Sequence, residues 1–249
     1  MNKLTKSPEP KYLADHASAA TSTIIATAKA NNGQLSDADF KTNVYNGPGV
    51  KDELLSDQYG KCAFCERNKG GDFGSVEHYR PKAGYNIHRD DPVIKPGYYW
   101  LTYNWANMLF ACDECNTKYK KNLFPLLDES KRDIANRDIT KEEPGIINPY
   151  DEDPAENLVF AQHVIKPRII DGVPSKKGEL TIESLGLNDN AALFDARQKA
   201  WLEYRNTCTM LTIAQMDKSS KQLIQMLTDK IANYKDDSTE FCGMFKNQE

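Results

Sequence analysis

Four cysteines in two pairs, Cys62-x-x-Cys65 and Cys112-x-x-Cys115, bracket 46 residues. A C-x-x-C turn lets two thiolates converge on one ion, and two such turns complete a tetrahedral site for Zn²⁺. A closed four-cysteine site has no open position, so its expected role is a staple and not a catalyst. What it gathers is the material of phosphodiester cleavage. The run Val76-Glu77-His78-Tyr79-Arg80-Pro81-Lys82 supplies a carboxylate, an imidazole and two cations. Asn107 stands five residues before Cys112, and Asn116 follows Cys115 directly, with Lys118, Lys120 and Lys121 behind it.

Hydrolysis of a phosphodiester needs a base for water, a metal to neutralise the phosphate and leaving oxygen, and groups that place both. His78 suits the first task because imidazole titrates near neutral pH. Glu77 and Asn116 offer hard oxygen ligands suited to Mg²⁺. Taken singly, each residue has a blander reading: a packing histidine, a turn asparagine, a solvated lysine face. Their joint placement around one staple raises them. In a regular strand Glu77 and His78 would point to opposite faces. Both serve one site only where the strand ends, and Pro81 is expected to end it.

The elements that must position these residues are short. Residues 10–31 read as an alanine-rich helix, 50–57 as a helix leading into the first cysteine turn, and 74–79 as a strand. Residues 107–119 read as a turn and then a helix beginning near the second cysteine pair. Beyond a polar stretch, 158–161 and 164–170 read as strands. Residues 175–187, 191–216 and 219–234 read as helices, the last with Leu223, Leu227, Ile231 and Tyr234 at helical spacing as a core-facing stripe. The expected architecture is α+β: an N-terminal helical extension (1–49), a zinc-stapled core (50–132), a linker with short strands (133–174) and a mainly helical C-terminal region (175–249).

Composition narrows the class. The chain has 249 residues and a formal charge of −4. Residues 61–132 carry 12 Lys+Arg against 9 Asp+Glu, and the remainder carries 20 against 27. The bracketed region is thus the basic part of an acidic chain, and bulk charge alone does not make a nucleic-acid binder. No run approaches the roughly 20 apolar residues of a membrane span, and the N-terminus has no apolar signal core, so a cytoplasmic location is expected. In that reducing compartment paired cysteines point to metal, while Cys208 and Cys242 read as bystander thiols.

The pattern Cys62-x-x-Cys65, Glu77-His78-x-x-Pro81-Lys82, Asn107, Cys112-x-x-Cys115-Asn116 resembles the HNH endonucleases with a ββα-metal core. The resemblance implies His78 as general base, Asn107 as the residue holding the loop, and Glu77 and Asn116 as ligands of a catalytic Mg²⁺ or Mn²⁺. It implies a structural Zn²⁺ on the four cysteines and nucleic acid, DNA or RNA, as substrate. Arg80, Lys82, Lys118, Lys120 and Lys121 are the candidates for phosphate contact. Two positions depart from the pattern: Glu77 stands where aspartate is commoner, and Tyr119 where a lysine is usual. The flanks Lys3-Leu4-x-Lys6-x-Pro8-x-Pro10, Phe124-Pro125-Leu126, Asn148-Pro149-Tyr150-Asp151-Glu152-Asp153-Pro154 and Thr181-Ile182-Glu183-Ser184-Leu185-Gly186-Leu187-Asn188 are similar to the PtuB group, HNH effectors of Septu and retron-associated anti-phage systems. That wider resemblance implies a PtuA-type ATPase as partner and, where a retron belongs to the system, its reverse transcriptase with the attached RNA and DNA. The competing class is a zinc module that binds nucleic acid or protein without cutting. Such a module would keep the cysteines but have no use for Glu77, His78 and Asn116 in convergence.

Overall fold

The computed structural model describes residues 1–68 and 74–248. Helix α1 (Lys11–Ala30) buries Leu13, Ala20, Ile24 and Ala28 along one face. That face packs with Phe40, with Val44 and Tyr45 of the short helix α2 (Thr42–Tyr45), and with Val50 and Leu54 of α3 (Val50–Asp57). The same core takes Val76, Met108 and Phe110 from a two-stranded antiparallel sheet. Its strands are β1 (Gly74–His78) and β2 (Met108–Cys112), in a register that opposes His78 to Met108 and Gly74 to Cys112. A seven-residue π-helix, Glu114–Lys120, follows β2 directly.

Strand β2 is where the residue-level reading of 107–119 differs from the structure. Met108-Leu109-Phe110-Ala111-Cys112 is buried at every position. A strand covered on both faces shows no alternation, so period gives no sign of it. Leu109 and Ala111 face a second and larger core with Phe64, Tyr79, Phe124, Ile146, Phe160 and Phe245. That core draws on the N-terminal arm, the cysteine-bracketed region, the strands of the linker and the C-terminal helices alike.

One edge of β2 is taken by β1, and Gln58 covers the other. The Gln58 side chain accepts from Phe110 N at 2.8 Å and donates to Phe110 O at 2.9 Å, which is what a neighbouring strand would do. Ala63 N in the first cysteine turn also donates to Phe110 O, at 3.1 Å. Gln58, at the C-terminal end of α3, therefore joins that helix, the cysteine turn and β2 in one place.

The linker carries β3 (Leu158–Ala161) paired with β4 (Val164–Pro167), and β5 (Ile169–Ile170) paired with β6 (Val173–Pro174). The single strand expected over 164–170 is thus two, broken after Pro167, where Arg168 N turns away to donate to Asn157 O at 2.8 Å. The C-terminal region is helical: α4 (Lys176–Ser184), α5 (Ala191–Met216), α6 (Lys221–Tyr234) and a short α7 (Cys242–Lys246). Ser175, Asn190 and Ser220 cap the first three by accepting from backbone N–H groups of the first turn. Gly186 joins α4 to the π-helix. It has φ +56°, and a Cβ there would sit 2.0 Å from the Tyr119 ring, so a larger residue would push the π-helix away. No helix among the described residues is long and apolar enough to cross a membrane.

Gln58→Leu should leave the Phe110 N–H buried without a partner. A buried orphan donor costs about 1–3 kcal/mol. Chemical denaturation of the variant should show a loss in that range, and unchanged stability would mean that β2 does not depend on this clamp.

Candidate active site and metal cluster

Cys62 and Cys65 lie in a turn that closes when Glu66 N donates to Cys62 O at 3.0 Å and Cys62 N donates to Arg67 O at 3.0 Å. Cys112 ends β2, and Cys115 lies in the π-helix. All four are buried, and their Sγ atoms lie within 4.8 Å of one another. Cys65 and Cys112 are separated by 3.8 Å. With Zn–S bonds near 2.3 Å, a tetrahedron has S···S edges of about 3.8 Å. Four thiolates this close cannot all ionise unless a cation sits among them. The Cys112 thiol is held far below its ordinary range by hydrogen bonds from Cys115, Cys62 and Cys65, while Cys65 and Cys115 are pushed up, first by their hydrogen bonds to Cys112. The donor set, burial and spacing suit one metal ion such as zinc.

The staple fixes what comes next in the chain. Asn116 follows Cys115 in the π-helix, and its Nδ2 donates to Ser75 Oγ at 2.9 Å on β1. That leaves Asn116 Oδ1 free of this bond. Ser75 and Glu77 share a face of β1. Glu77, His78, Asn116, Lys82 and Lys121 line one cleft of about 390 Å³, with Pro81, Ala83, Thr117 and Asn122. The opposite-face difficulty for Glu77 and His78 is met at the strand's last residue: His78 ends β1, and both residues line the same opening.

His78 is 4% exposed. Its Nε2 lies 2.9 Å from Thr102 O, which can only accept, so Nε2 carries the proton and Nδ1 keeps a lone pair. The Tyr45 ring packs edge-on at 4.8 Å. Burial, reinforced by the charges of Lys82 and Lys120, pushes the His78 pKa down to about 3, against the Thr102 hydrogen bond. At neutral pH the imidazole is uncharged and able to take a proton. Of the other histidines, His16, His88 and His163, none lines this cleft.

Asn107 sits behind the site. Its Oδ1 accepts from Arg80 N at 2.8 Å, and its Nδ2 donates to Arg80 O at 3.1 Å and Leu101 O at 3.3 Å. It thereby ties the chain leaving β1 to the loop that enters β2.

The candidate phosphate contacts divide. Lys82 and Lys121 line the cleft. Lys118 is exposed, over the Tyr119 ring at 5.1 Å, and does not line it. Arg80 is turned away: its Nε donates to Glu142 at 3.0 Å, and its guanidinium packs near the rings of Tyr79, Tyr98 and Phe124. Lys120 is fully buried and donates to Glu77 Oε1 at 2.6 Å. Both cations are held by a carboxylate of the chain, which leaves neither directed at solvent phosphate. The supporting residues Thr102, Tyr45 and Ser75 escaped the sequence reading. Only Ser75 carried a signal, two residues before Glu77 on the same strand face.

No family model matches the chain. It is 37% identical to the Septu protein PtuB of Bacillus mycoides strain KBAB4 over 153 residues, 61% of this chain and 51% of PtuB. The chain is close to PtuB. It is also 28% identical over 168 residues to the Septu protein PtuA of the same strain, covering 67% of this chain and 23% of PtuA. The two stretches together exceed the chain's 249 residues, so they share part of it. The chain spans about half the length of PtuB and about a quarter of PtuA.

Two outcomes follow from this geometry. Freshly purified protein should hold about one zinc per chain with four sulfur ligands, and Cys112→Ser should lower both zinc content and Tm. Elemental analysis and X-ray absorption check this. The second concerns pH. The folded-state pKa of His78 is depressed, so the unfolded chain takes up this proton first. Its contribution to stability is full above the ordinary value of 6.5 and is lost as pH falls toward about 3. His78 alone should cost about 1.4 kcal/mol between roughly pH 7.5 and pH 5.5. His78→Asn should lack that increment when the two proteins are unfolded side by side at both pH values.

Proposed function

We propose that the chain is a metal-dependent endonuclease of the HNH type, cutting phosphodiester bonds of nucleic acid as the effector of a Septu-like anti-phage system. The observation that carries the reading is convergence: an uncharged buried histidine, a carboxylate and a carboxamide oxygen open on one cleft edged by Lys82 and Lys121. In this reading β1, β2 and the π-helix form the ββα-metal core, with the cysteine cluster holding Zn²⁺ at its base. Glu77 and Asn116 would hold the catalytic Mg²⁺ or Mn²⁺, which supplies charge neutralisation at the phosphate and the leaving oxygen.

The chain's own residues do the rest. His78 Nδ1 accepts the proton of the attacking water, while Thr102 O keeps the ring in the tautomer that leaves Nδ1 free. Asn107 ties the backbone two residues past His78 to the loop that enters β2. Lys82 and Lys121 draw the phosphate backbone to the cleft. Net charge is negative and the basic zone is small, so a partner surface is expected to complete the substrate path. The similarity to PtuB makes a PtuA-type ATPase the first partner to try. The non-cutting zinc-module reading draws on one observation: Glu77 is already occupied on one oxygen by Lys120.

His78→Ala should reduce cleavage about 10²–10⁴-fold, the usual cost of losing a positioned general base, while leaving zinc content unchanged. Glu77→Ala and Asn116→Ala should instead raise the Mg²⁺ or Mn²⁺ concentration needed for activity. Phage DNA, plasmid and total RNA serve as substrates, for the chain alone and co-purified with the candidate ATPase. A folded His78→Ala protein that cuts at the wild-type rate would transfer the assignment to the zinc-module class.

A further inference from the structure

The ammonium of Lys120 has no exposure, although lysines at 118 and 121 on either side are exposed. It donates to Glu77 Oε1 at 2.6 Å and to His78 O at 3.1 Å. A lysine taken fully out of water needs a partner of opposite charge, and it has found the only anionic side chain among the residues lining the cleft. The π-helix sets this up: Asn116 and Lys120 are four residues apart, and they meet β1 at Ser75 and Glu77, two residues apart on the same strand face. Lys120 therefore stands behind the carboxylate, opposite its cleft side. Glu77 Oε1 belongs to Lys120, and Oε2 is the oxygen left for a ligand.

This placement has an electrostatic consequence. Among the described residues that line the cleft, Glu77 is the single carboxylate, beside Lys82 and Lys121 and with Lys120 directly behind. A divalent cation arriving on Glu77 enters a site whose own charge is already positive. A phosphodiester backbone brings negative charge to the same opening and offsets that repulsion. We propose that Lys120 is a positioning residue that holds the Glu77 carboxylate and, through its own positive charge, keeps the cleft's affinity for divalent metal low until an anionic substrate is present. The inference rests on the reading of Glu77 as a metal ligand.

The sign of the effect separates this role from a structural one. A lysine that only supported the fold would, on removal, loosen the site and weaken metal binding. Under the proposal, removing the ammonium leaves Glu77 without its counter-charge and strengthens metal binding. Mn²⁺ binding to the full, zinc-loaded chain is the measurement, by electron paramagnetic resonance or calorimetry. The probe phosphodiester is a phosphorothioate DNA oligonucleotide, which resists cleavage. Lys120→Met should bind Mn²⁺ about tenfold more tightly than the wild type without oligonucleotide. The oligonucleotide should tighten Mn²⁺ binding by a larger factor in the wild type than in Lys120→Met. Equal or weaker Mn²⁺ binding by folded, zinc-replete Lys120→Met overturns the proposal while leaving the metal-ligand reading of Glu77 standing. Glu77→Gln should weaken Mn²⁺ binding strongly in both backgrounds. If it does not, the metal-ligand reading falls and this inference falls with it. Should Lys120→Met not fold in Mn²⁺-free buffer, refolding with Mn²⁺ should recover soluble, zinc-loaded protein, since the ion replaces the lost cation. No recovery would count against the proposal.

Discussion

Four cysteine sulfurs lie within 4.8 Å of one another, close enough to share one cation, and the backbone that brings them there comes from three pieces of chain. One is the turn after α3, one is the end of β2, and one is the π-helix. The cluster is therefore a joint as well as a candidate metal site. It sets the angle between β2 and the π-helix, and through Cys115 it sets the position of Asn116. It also brings the first cysteine turn against β2, where Ala63 and Gln58 share the carbonyl of Phe110. The sheet has only two strands, and an isolated two-stranded ribbon is marginal in water. Here its free edge is closed by the Gln58 side chain and the first cysteine turn, so no third strand is needed at that edge.

Charges in this molecule are spent inward more than a sequence suggests. Arg80 and Lys120 both come from the basic run around the candidate site, and both end in buried pairs, with Glu142 and Glu77. Lys6 follows the same course. Its Nζ lies 4.1 Å from the ring centroids of both Trp105 and Tyr150 and donates to Met108 O, which straps the N-terminal arm across the start of β2. Burial pushes the Lys6 pKa down to about 7 against the pull of Asp57 and Asp151. Buried pairs of this kind are weak evidence for net stability, because desolvation offsets the attraction, but losing one partner leaves the other uncompensated. Their use here is geometric: each fixes a backbone segment that borders the cleft.

What the sequence makes legible depends on how local the cause is. Helix α3 is read at Val50–Asp57 and found there, since a glycine-rich break and the cysteine turn bound it. The cysteine cluster is legible because two C-x-x-C turns at this spacing read together as one metal site. Strand β2 is hidden by its own burial, and α7 by its length and by the left-handed Phe241 that begins it, at φ +60°. The joint placement of Glu77, His78 and Asn116 around one staple is legible in the sequence; the cleft that holds them depends on where β1 stops, and that is a property of the sheet. Least legible is the fate of the lysines. Lys118, Lys120 and Lys121 read together as candidates for phosphate contact, yet the π-helix turns the middle one inward. Arg80 finds Glu142 62 residues away, a pairing that no spacing rule anticipates.

The same inward charges bear on the chemistry at His78. A base that must take a proton from water works from its uncharged form, and three features keep His78 in that form. Burial penalises the imidazolium, and Lys82 and Lys120 repel it from two sides. Thr102 O, a neutral acceptor, fixes the tautomer without supplying the carboxylate that would favour a charged ring. The nearest carboxylate, Glu77, is engaged by Lys120 and so is partly neutralised toward its neighbour. One lysine thus acts on both halves of the cleft: it draws the negative charge of Glu77 away from the histidine and adds positive charge behind it. The basicity lost to this arrangement is restored only when negative charge enters the cleft. In the proposed reading, where His78 is the base, a phosphodiester would bring it, and the readiness of the base would then follow the arrival of the substrate.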